Sequence, residues 1–381
     1  MDMKFASDTL DFLRSLFLLK YRLGWQLALY LVRAVDAATG HQVVNDFMER
    51  WDTGRLVQQG LRLCRTVAQP PNPAIAGGAQ LTHPHILAAG WVKGTGYDNE
   101  VQALAAVVQG RNLIPGWRSL PSLVGPVEFG SYTRWPRHGN RGETMWRMPG
   151  RSLGNRVGLR NVGVRAAASF LSMHQEELPR CWGINLAPTP GVEDPQKLFE
   201  EMQQSLAYLV DAALKPSWVT INISCPTTNA DMDSVQSEAQ VRALLMAARQ
   251  GLPRDVPLWI KVGPGLRASQ YAMLVALCGE FRVRAVVATN TRQELDGDGR
   301  SWGASGETLA RDSLDAVVKL TVLKQMLNVP VDIIACGGIL QGHDLRQLRR
   351  FGIMVWQYFA ALVYRGPFAG GLISREAQRQ S

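Results

Sequence analysis

From about residue 80 onward, short apolar runs alternate with longer segments whose apolar residues recur at helical spacing. The apolar runs cover residues 86–90, 126–130, 182–186, 218–223, 258–262, 285–290, 332–337 and 353–359. Candidate helices between them include residues 195–214, 238–250, 268–281, 311–327 and 343–351. Nearly continuous apolar strands separated by helices indicate a parallel sheet that is buried on both faces. Eight such units predict an α/β fold, a closed (β/α)8 TIM barrel, and a doubly wound open sheet is the alternative.

The connection between the first two runs is long and contains Gly96, Gly110, Pro115 and Pro121. Glycine and proline interrupt regular structure, so this stretch does not fit a single continuous element. We expect an insertion or an extra helix there.

The N-terminal segment has a different pattern, with Leu10, Leu13 and Phe17 at helical spacing and Gly24 able to divide the segment into two helices. Charged residues interrupt residues 10–35, and the longest charge-free run, 23–32, is about half the length of a bilayer span. A transmembrane helix is therefore not expected, and no secretory signal is readable. A basic, aromatic-tipped helical hairpin is typical of a membrane interface. A helical pair packed on the protein itself, or a subunit interface, is the alternative.

We therefore predict two domains, an N-terminal helical extension over residues 1–79 that associates with a membrane, and a barrel over residues 80–381. The composition of the 381 residues, 46% hydrophobic and 19% charged, excludes intrinsic disorder. The net charge of +9 favours an anionic surface without identifying one.

The five cysteines, at positions 64, 181, 225, 278 and 336, form no CxxC or Cys/His pair. We therefore expect neither a disulfide scaffold nor a zinc or iron–sulfur site, and no metal is predicted. Free thiols suit a reducing compartment.

Most of the apolar runs end in glycine, amide, lysine or thiol residues, which would meet at the carboxyl end of a barrel. These residues are Ala89, Gly90 and Lys93, Gly130 and Ser131, Asn185, Asn222 to Cys225, Lys261, Asn290 and Thr291, and Gly337 and Gly338. Lysines and amides together suit a planar heterocycle with carbonyls and a carboxylate. A satisfied loop amide remains the alternative for any single asparagine.

Two further features of this end point to specific chemistry. Gly337-Gly338 and Phe359-Ala360-Ala361 follow the seventh and eighth runs, where small residues let backbone N–H groups approach a phosphate. Cys225 follows the fourth strand, and a free thiol with a pKa near 8.5 can act as a base or nucleophile.

Ten segments, in order, resemble the dihydroorotate dehydrogenase family over residues 80–370. They are Asn222-Ile223-Ser224-Cys225-Pro226, which resembles the catalytic motif, Leu87-Ala88-Ala89-Gly90 with Lys93, Glu128-Phe129-Gly130-Ser131, Asn155-Arg156-Val157-Gly158, Gly183-Ile184-Asn185, Ile260-Lys261-Val262, Ala288-Thr289-Asn290-Thr291, Gly303-Ala304-Ser305-Gly306, Gly337-Gly338-Ile339 and Arg365-Gly366-Pro367.

The resemblance implies an FMN-binding barrel that oxidises dihydroorotate to orotate in pyrimidine biosynthesis, with Cys225 as the base. The residues that it assigns to the flavin are Ala88, Ala89, Gly90, Ser131, Asn185, Lys261, Gly306, Gly337, Gly338, Phe359 and Ala360. Those that it assigns to the pyrimidine and its carboxylate are Lys93, Asn155, Asn222, Asn290 and Thr291.

The N-terminal extension is similar to that of the membrane-associated, quinone-reducing class of the family. This similarity implies a quinone acceptor. It also implies a peripheral position on the surface of the inner (cytoplasmic) membrane or of the mitochondrial inner membrane. The alternative is a cytoplasmic protein. The quinone-linked class uses serine as its base and the soluble class uses cysteine, so the class assignment rests on the extension.

Three departures from the family pattern concern the pocket. The second asparagine of the catalytic motif is Thr227, the positions after Asn-Arg-x-Gly are Leu159 and Arg160, and Tyr-Ser-Gly is replaced by Phe359-Ala360-Ala361. The last change removes two hydroxyl donors from the expected phosphate site. Each lost hydrogen bond to a charged phosphate would cost about 1.5–3 kcal/mol of binding free energy.

These departures keep other hypotheses open. One is a flavin barrel that acts on another ring, and another is a catalytically inactive barrel that serves as an assembly subunit with a protein partner. A run of arginines between residues 134 and 165 also allows an RNA substrate. Such runs are more often a solvated or membrane-facing surface, so nucleic acid is the weakest of these hypotheses.

Overall fold

The computed structural model describes residues 3–31, 37–224 and 237–379. Its helices are α1 (Met3–Leu31), α2 (Ala37–Trp51), α3 (Arg55–Ala68), α4 (Glu100–Val108), α5 (Ser119–Val124), α6 (Val164–Met173), α7 (Pro195–Asp211), α8 (Glu238–Gly251), α9 (Ala268–Glu280), α10 (Ala310–Met326), α11 (Gly342–Arg349), α12 (Ala360–Arg365) and α13 (Ala369–Gln378).

The strands form one barrel and two small sheets. They are β1 (Ala74–Ala76), β2 (Ala79–Leu81), β3 (His85–Leu87), β4 (Val127–Tyr132), β5 (Met145–Met148), β6 (Ser152–Asn155), β7 (Trp182–Leu186), β8 (Trp218–Asn222), β9 (Leu258–Val262), β10 (Ala285–Ala288), β11 (Arg292–Leu295), β12 (Ser301–Gly306), β13 (Asp332–Cys336) and β14 (Trp356–Tyr358).

Eight parallel strands close the barrel in the order β3-β4-β7-β8-β9-β10-β13-β14, and β14 pairs with β3. The predicted (β/α)8 barrel is therefore confirmed, and the open sheet is excluded. Strands β7 and β9 coincide with the predicted runs 182–186 and 258–262. Every residue of β7, β8 and β9 is buried, because helices cover the outside and side chains fill the inside.

Helix α7 shows how local sequence sets an element of this barrel. Asp194 caps its first turn by accepting a hydrogen bond from the Lys197 N–H at 2.9 Å, and Pro195 occupies the first helical position. Leu198, Met202 and Leu209 then form the buried stripe that packs on the barrel.

Two small sheets were not predicted from the sequence. The hairpin β1–β2 lies at the amino end of the barrel, where the Trp259 Nε1–H donates to the Gly77 carbonyl at 2.9 Å. The antiparallel sheet β11-β12-β6-β5 lies at the carboxyl end. Strands β5 and β11 are mostly half-exposed, so they lack the continuous apolar pattern that marked the barrel strands.

The N-terminal helices also differ from the expectation. Helix α1 continues through Gly24 to Leu31, so the predicted division at Gly24 is wrong. A Cβ at Gly24 would meet no atom within 4 Å, and the helix continues there on an open face. Glycine only weakens a helix, by about 1 kcal/mol relative to alanine, and packing elsewhere can offset that cost.

Tyr21 of helix α1 contacts the segment between α12 and α13. The Tyr21 hydroxyl donates to the Arg365 carbonyl at 2.9 Å, and the Tyr21 and Phe368 ring centroids are 4.8 Å apart.

The expected insertion between the first two barrel strands contains two helices, α4 and α5. Among the described helices, none has both the length and the apolar character needed to cross a membrane. The boundary between the two predicted domains stays a prediction.

Candidate active site

A cavity of about 650 Å³ opens at the carboxyl end of the barrel. Its floor is formed by residues at or next to the carboxyl ends of the strands, including Asn222 of β8, Lys261 of β9 and Gln357 of β14. Its walls are formed by the loop after β3, by strands β6 and β12, and by helix α2. The active sites of (β/α)8 barrels lie at this carboxyl end.

The cavity brings together most of the residues that the sequence indicated. Those that line it are Ala88, Ala89, Gly90, Lys93, Ser131, Asn155, Asn222, Lys261, Asn290, Thr291, Gly306, Gly337, Gly338, Phe359 and Ala360. Asn185 does not line the cavity but lies fully buried. Cys225 and Thr227 lie outside the described residues.

Amide and hydroxyl groups form a connected cluster on one side of the cavity. The Asn222 Nδ2 donates to the Ser131 Oγ at 3.4 Å, and the Asn222 Oδ1 accepts from the Ser224 N–H at 3.2 Å and from the Asn290 Nδ2 at 3.3 Å. Asn290 also donates to the Ser224 carbonyl. The Ser224 Oγ is buried without a hydrogen-bond partner in the described part of the chain. This cluster can pair with the carbonyl and N–H groups of a small polar ring.

A buried carboxylate lies beneath this floor. The Glu128 Oε1 accepts from the Asn185 Nδ2 at 2.8 Å, and the Oε2 accepts from Trp218 Nε1 and Thr220 Oγ1, both at 2.8 Å, and from Gln357 Nε2 at 3.1 Å. The Lys261 Nζ donates to the other end of the Gln357 amide, its Oε1, at 3.2 Å. Gln357 therefore links a buried anion to the cation on the cavity floor.

The opposite end of the cavity has glycines in backbone conformations that other residues rarely adopt. The φ angles of Gly306, Gly337 and Gly338 are +82°, +103° and +73°. A Cβ on Gly338 would lie 2.2 Å from the Ala310 Cα, and one on Gly306 would lie 2.2 Å from the Arg151 carbonyl oxygen. Glycine at these positions leaves backbone at the cavity surface, which suits an anion.

Among the described residues that line the cavity, Cys336 carries a thiol, and this thiol is unsuited to act as a base. Burial raises the pKa of Cys336, and the nearby Lys261 only partly opposes that effect. A thiol held in the protonated form is a poor nucleophile or base.

Helix α2 contributes a polar face that the sequence reasoning did not assign to the site. Gln42, Asn45, Asp46 and Glu49 line the outer part of the cavity. Their spacing of three and four residues places them on one side of the helix. That spacing was readable in the sequence, but nothing in the sequence showed that α2 lies over the barrel.

The arginine-rich stretch is largely committed to internal contacts. Arg134 is buried and bonds Glu100, Gln204 and Tyr208, with its Nη2 2.9 Å from the Tyr208 hydroxyl. Arg165 also pairs with Glu100 at 2.9 Å, and Arg156 with Asp296 at 3.2 Å. These contacts leave less free positive charge than the sequence suggested, which weakens the RNA hypothesis.

The described residues that depart from the expected pattern do reach the cavity. Leu159, Arg160, Phe359, Ala360 and Ala361 all line it. The Arg160 Nε donates to the His138 carbonyl at 2.9 Å, which fixes part of that side chain in the loop.

Comparison with known proteins identifies relatives of this chain. The family model for dihydroorotate dehydrogenase matches residues 91–380. A protein of Nitrosomonas eutropha named dihydroorotate dehydrogenase (quinone) is 29% identical over 351 residues, covering 88% of this chain and 92% of that protein. A protein of Coxiella burnetii with the same name is 28% identical over 318 residues, covering 78% of this chain and 82% of its own length.

Solved structures show the same fold. The crystal structure of DHODH from Eimeria tenella in complex with ferulenol superposes with a TM-score of 0.64 at 20% sequence identity. The superposition covers 85% of this chain and 90% of that one.

Proposed function

The chain belongs to the dihydroorotate dehydrogenase family, and from that premise we propose that it oxidises dihydroorotate to orotate and passes the electrons to a quinone. The observation that carries the proposal is the match over residues 91–380 together with the cavity that gathers most of the motif residues. The names of the relatives support both the substrate and the acceptor.

FMN is the proposed cofactor, and the residues present fit it. The cavity volume of about 650 Å³ lies within the range of cofactor sites. Gly306, Gly337 and Gly338 would hold the phosphate through backbone groups, and Lys261 would lie at the isoalloxazine. When bound, FMN would accept the hydride from C6 of dihydroorotate. The alanines at 360 and 361 add no hydroxyl, so backbone N–H groups would supply the donors that side chains do not.

Several cavity residues are proposed to bind and orient the substrate. Asn222 and Asn290, which are connected through hydrogen bonds, would pair with the pyrimidine amide groups. Lys93, Asn155 and Thr291 also line the cavity, and Lys93 would favour the substrate carboxylate. Buried amides already connected to one another lose little entropy when they bind a ring.

Cys225 is the proposed base, which removes the proton from C5. Support comes from its place in the chain, directly after Ser224, whose backbone bonds both Asn222 and Asn290. The thiol must be deprotonated to accept that proton, so the reaction should speed up as the pH rises through the range of a thiol.

We also propose that the protein lies on a membrane surface, where a quinone would be available. Helix α1 exposes a row of large apolar side chains that includes Phe12, Leu16, Leu19, Leu23 and Leu27. Large apolar side chains exposed in a row along one helix mark an interaction site. A basic helix with such a face is typical of peripheral membrane proteins.

The direct test is the absorbance spectrum of the purified full-length protein under anaerobic conditions. We expect a flavin band that bleaches when dihydroorotate is added and returns when a quinone is added. The Cys225→Ala variant should keep the band but bleach at least about a hundredfold more slowly, the range of general base catalysis. Colour without bleaching would refute the substrate, and colourless protein after reconstitution with FMN would refute the cofactor and favour an assembly role.

A second candidate is a flavin enzyme that acts on a different ring. Leu159 and Arg160, which differ from the family pattern, line the cavity and favour this candidate. Sites that hydrogen-bond polar substrates discriminate strongly when one partner changes. Anaerobic bleaching by another cyclic substrate, with dihydroorotate inactive in the same assay, would establish it.

A further inference from the structure

A second cavity, of about 580 Å³, lies between α3, α5 and the short 3-10 helix Gln175–Glu177. Thr82, Gly125 and Cys181, which precede strands β3, β4 and β7, form part of its wall. It is therefore at the amino end of the barrel, opposite the candidate active site. We call it the arginine cavity, because its wall contains Arg55, Arg62, Arg65, Arg118 and Arg180.

The positive charges of the arginine cavity are only partly neutralised. Its wall contains two acidic residues, Glu176 and Glu177, and the latter pairs with Arg118 at 3.0 Å. In the described ranges, no ion pair is found for the other four arginines. Arg65 donates instead to the Pro121 carbonyl at 2.6 Å, and Arg62 to the Ser122 hydroxyl at 3.4 Å.

Two of these guanidinium groups are held away from water. The Arg118 side chain is only 10% exposed, and its Nε is buried without a hydrogen-bond partner among the residues described. Burial lowers the pKa of Arg65, and the neighbouring Arg62 lowers it further. Arg65 is partly buried beside the like charge of Arg62, and a bound anion would offset the repulsion between these two groups. Guanidinium groups match the oxygens of phosphate in particular.

The surroundings of the cavity indicate where such an anion would come from. Arg55, Arg62 and Arg65 lie along one flank of α3, and Leu56 and Leu63, which are 82% and 66% exposed, lie along the adjacent flank. Helix α1, which carries the exposed apolar row, lies beside α3. The two helices are connected by the Arg14 Nε, which donates to the Val67 carbonyl at 2.9 Å. Basic groups at the edge of an apolar helical surface are typical of contact with anionic membranes.

We propose that the arginine cavity binds an oxyanion of the phosphate class, either the phosphodiester of an anionic phospholipid or a soluble phosphate. This site is separate from the flavin and substrate cavity. It would anchor one edge of the N-terminal helices through charge, in addition to their apolar contact.

The test uses the full-length protein and two double variants with equal changes of charge. The first, Arg62→Glu with Arg180→Glu, changes two exposed residues of the cavity. The control, Arg254→Glu with Arg282→Glu, changes two exposed residues outside it. The melting temperature is measured in inorganic phosphate against chloride at equal ionic strength. Co-flotation is measured with phosphatidylcholine vesicles, with or without phosphatidylglycerol.

We expect the cavity variant to lose at least about tenfold in partition to phosphatidylglycerol vesicles, since each basic residue near such a surface contributes roughly fivefold. The control should lose less than threefold. Specific loss of flotation supports a lipid headgroup, and specific loss of the stabilisation by phosphate supports a soluble phosphate. Equal behaviour of the two variants in both assays would overturn the proposal. Flavin content and bleaching by dihydroorotate, measured on the same samples, test the proposed function separately.

Discussion

At the scale of single residues, the chemistry of the cavity floor depends on a charge that lies below it. Glu128 is fully buried and accepts four hydrogen bonds, which together satisfy an ionised carboxylate. Lys261 is only 5% exposed, and Gln357 lies between the two charged groups. The opposite charges compensate each other in surroundings where an isolated charge would be very costly.

This arrangement predicts that Glu128→Gln raises the midpoint potential of the proposed flavin in the loaded protein. Without the negative charge of Glu128, the positive charge of Lys261 is less neutralised. The lysine then stabilises the reduced flavin, which is the more negative form. We expect a rise of about 30 mV, which for two electrons corresponds to ~1.4 kcal/mol. Spectroelectrochemical titration measures it.

Thr220→Val is the matched control for this change. It removes one hydrogen bond to Glu128 without changing the charge. It should lower the stability of the fold but leave the potential within a few millivolts. Equal potentials in Glu128→Gln and the wild type would show that the carboxylate only supports the fold.

His85 of β3 is a second residue whose environment has a measurable consequence. It is buried, and neither ring nitrogen has a hydrogen-bond partner within the described ranges. Burial, followed by the charges of His83 and Arg65, holds the pKa of His85 well below its ordinary value of 6.5. The imidazole is therefore neutral in the folded protein.

We expect His85→Leu to reduce the loss of stability in acid. Below pH 6.5 the unfolded chain binds a proton at this histidine and the folded protein does not, so stability falls as the pH falls. At pH 5.5 the variant should therefore lose about 1.4 kcal/mol less than the wild type, relative to pH 7.5. Urea unfolding at both pH values measures this. An unchanged pH dependence in His85→Leu would contradict the assignment.

At the scale of elements, one carboxylate connects the N-terminal helices to the barrel. Asp52, in the corner between α2 and α3, accepts from the backbone N–H groups of Gly116 at 2.7 Å and Ser119 at 2.8 Å. It also accepts from the Asn112 Nδ2 at 2.8 Å. Because Asp52 directly follows α2, these bonds determine where the polar face of that helix meets the cavity.

Asp52→Ala should therefore loosen the N-terminal helices. The buried N–H groups at the start of α5 would lose their acceptor, which we expect to cost at least about 2 kcal/mol. Urea unfolding measures that loss, and limited proteolysis should cut between α2 and the barrel faster than in the wild type. Asp255→Ala, at an exposed position, is the control, and equal cleavage of the two variants would contradict the role of Asp52.

At the scale of the whole molecule, binding at the mouth of the barrel should stabilise the entire fold. FMN that binds only the folded protein adds about 2.7 kcal/mol at a hundred times its dissociation constant. Removing the flavin should therefore lower the melting temperature, and adding it back should restore it.

Gly338→Ala should remove this stabilisation, because the added Cβ would lie 2.2 Å from the Ala310 Cα at the glycine end of the cavity. Gly352→Ala is a matched control: Gly352 has φ +77°, close to the +73° of Gly338, but a Cβ there would meet no atom within 4 Å. Calorimetric unfolding with and without FMN measures the flavin-dependent rise in melting temperature of each variant. Equal flavin-dependent shifts in both variants would show that the glycine end does not hold the cofactor.

The sequence by itself determined the barrel and most of its polar end. Continuous apolar strands such as β7 and β9 are visible because both faces of a parallel sheet are buried, and the strand ends then fix which residues share the mouth. The short strands β5 and β11 were missed, because half-exposed strands stabilised by distant pairing partners carry little local pattern.

Only the tertiary structure decided which residues face the cavity and which support it from below. Asn185 and Gln357 both belong to barrel strands, but Asn185 is turned to Glu128 beneath the floor and Gln357 reaches both Glu128 and Lys261. The polar face of α2 and the arginine cavity likewise combine residues from distant parts of the chain. Such contacts depend on how helices and loops pack across the barrel, and the local periodicity of a sequence does not encode that packing.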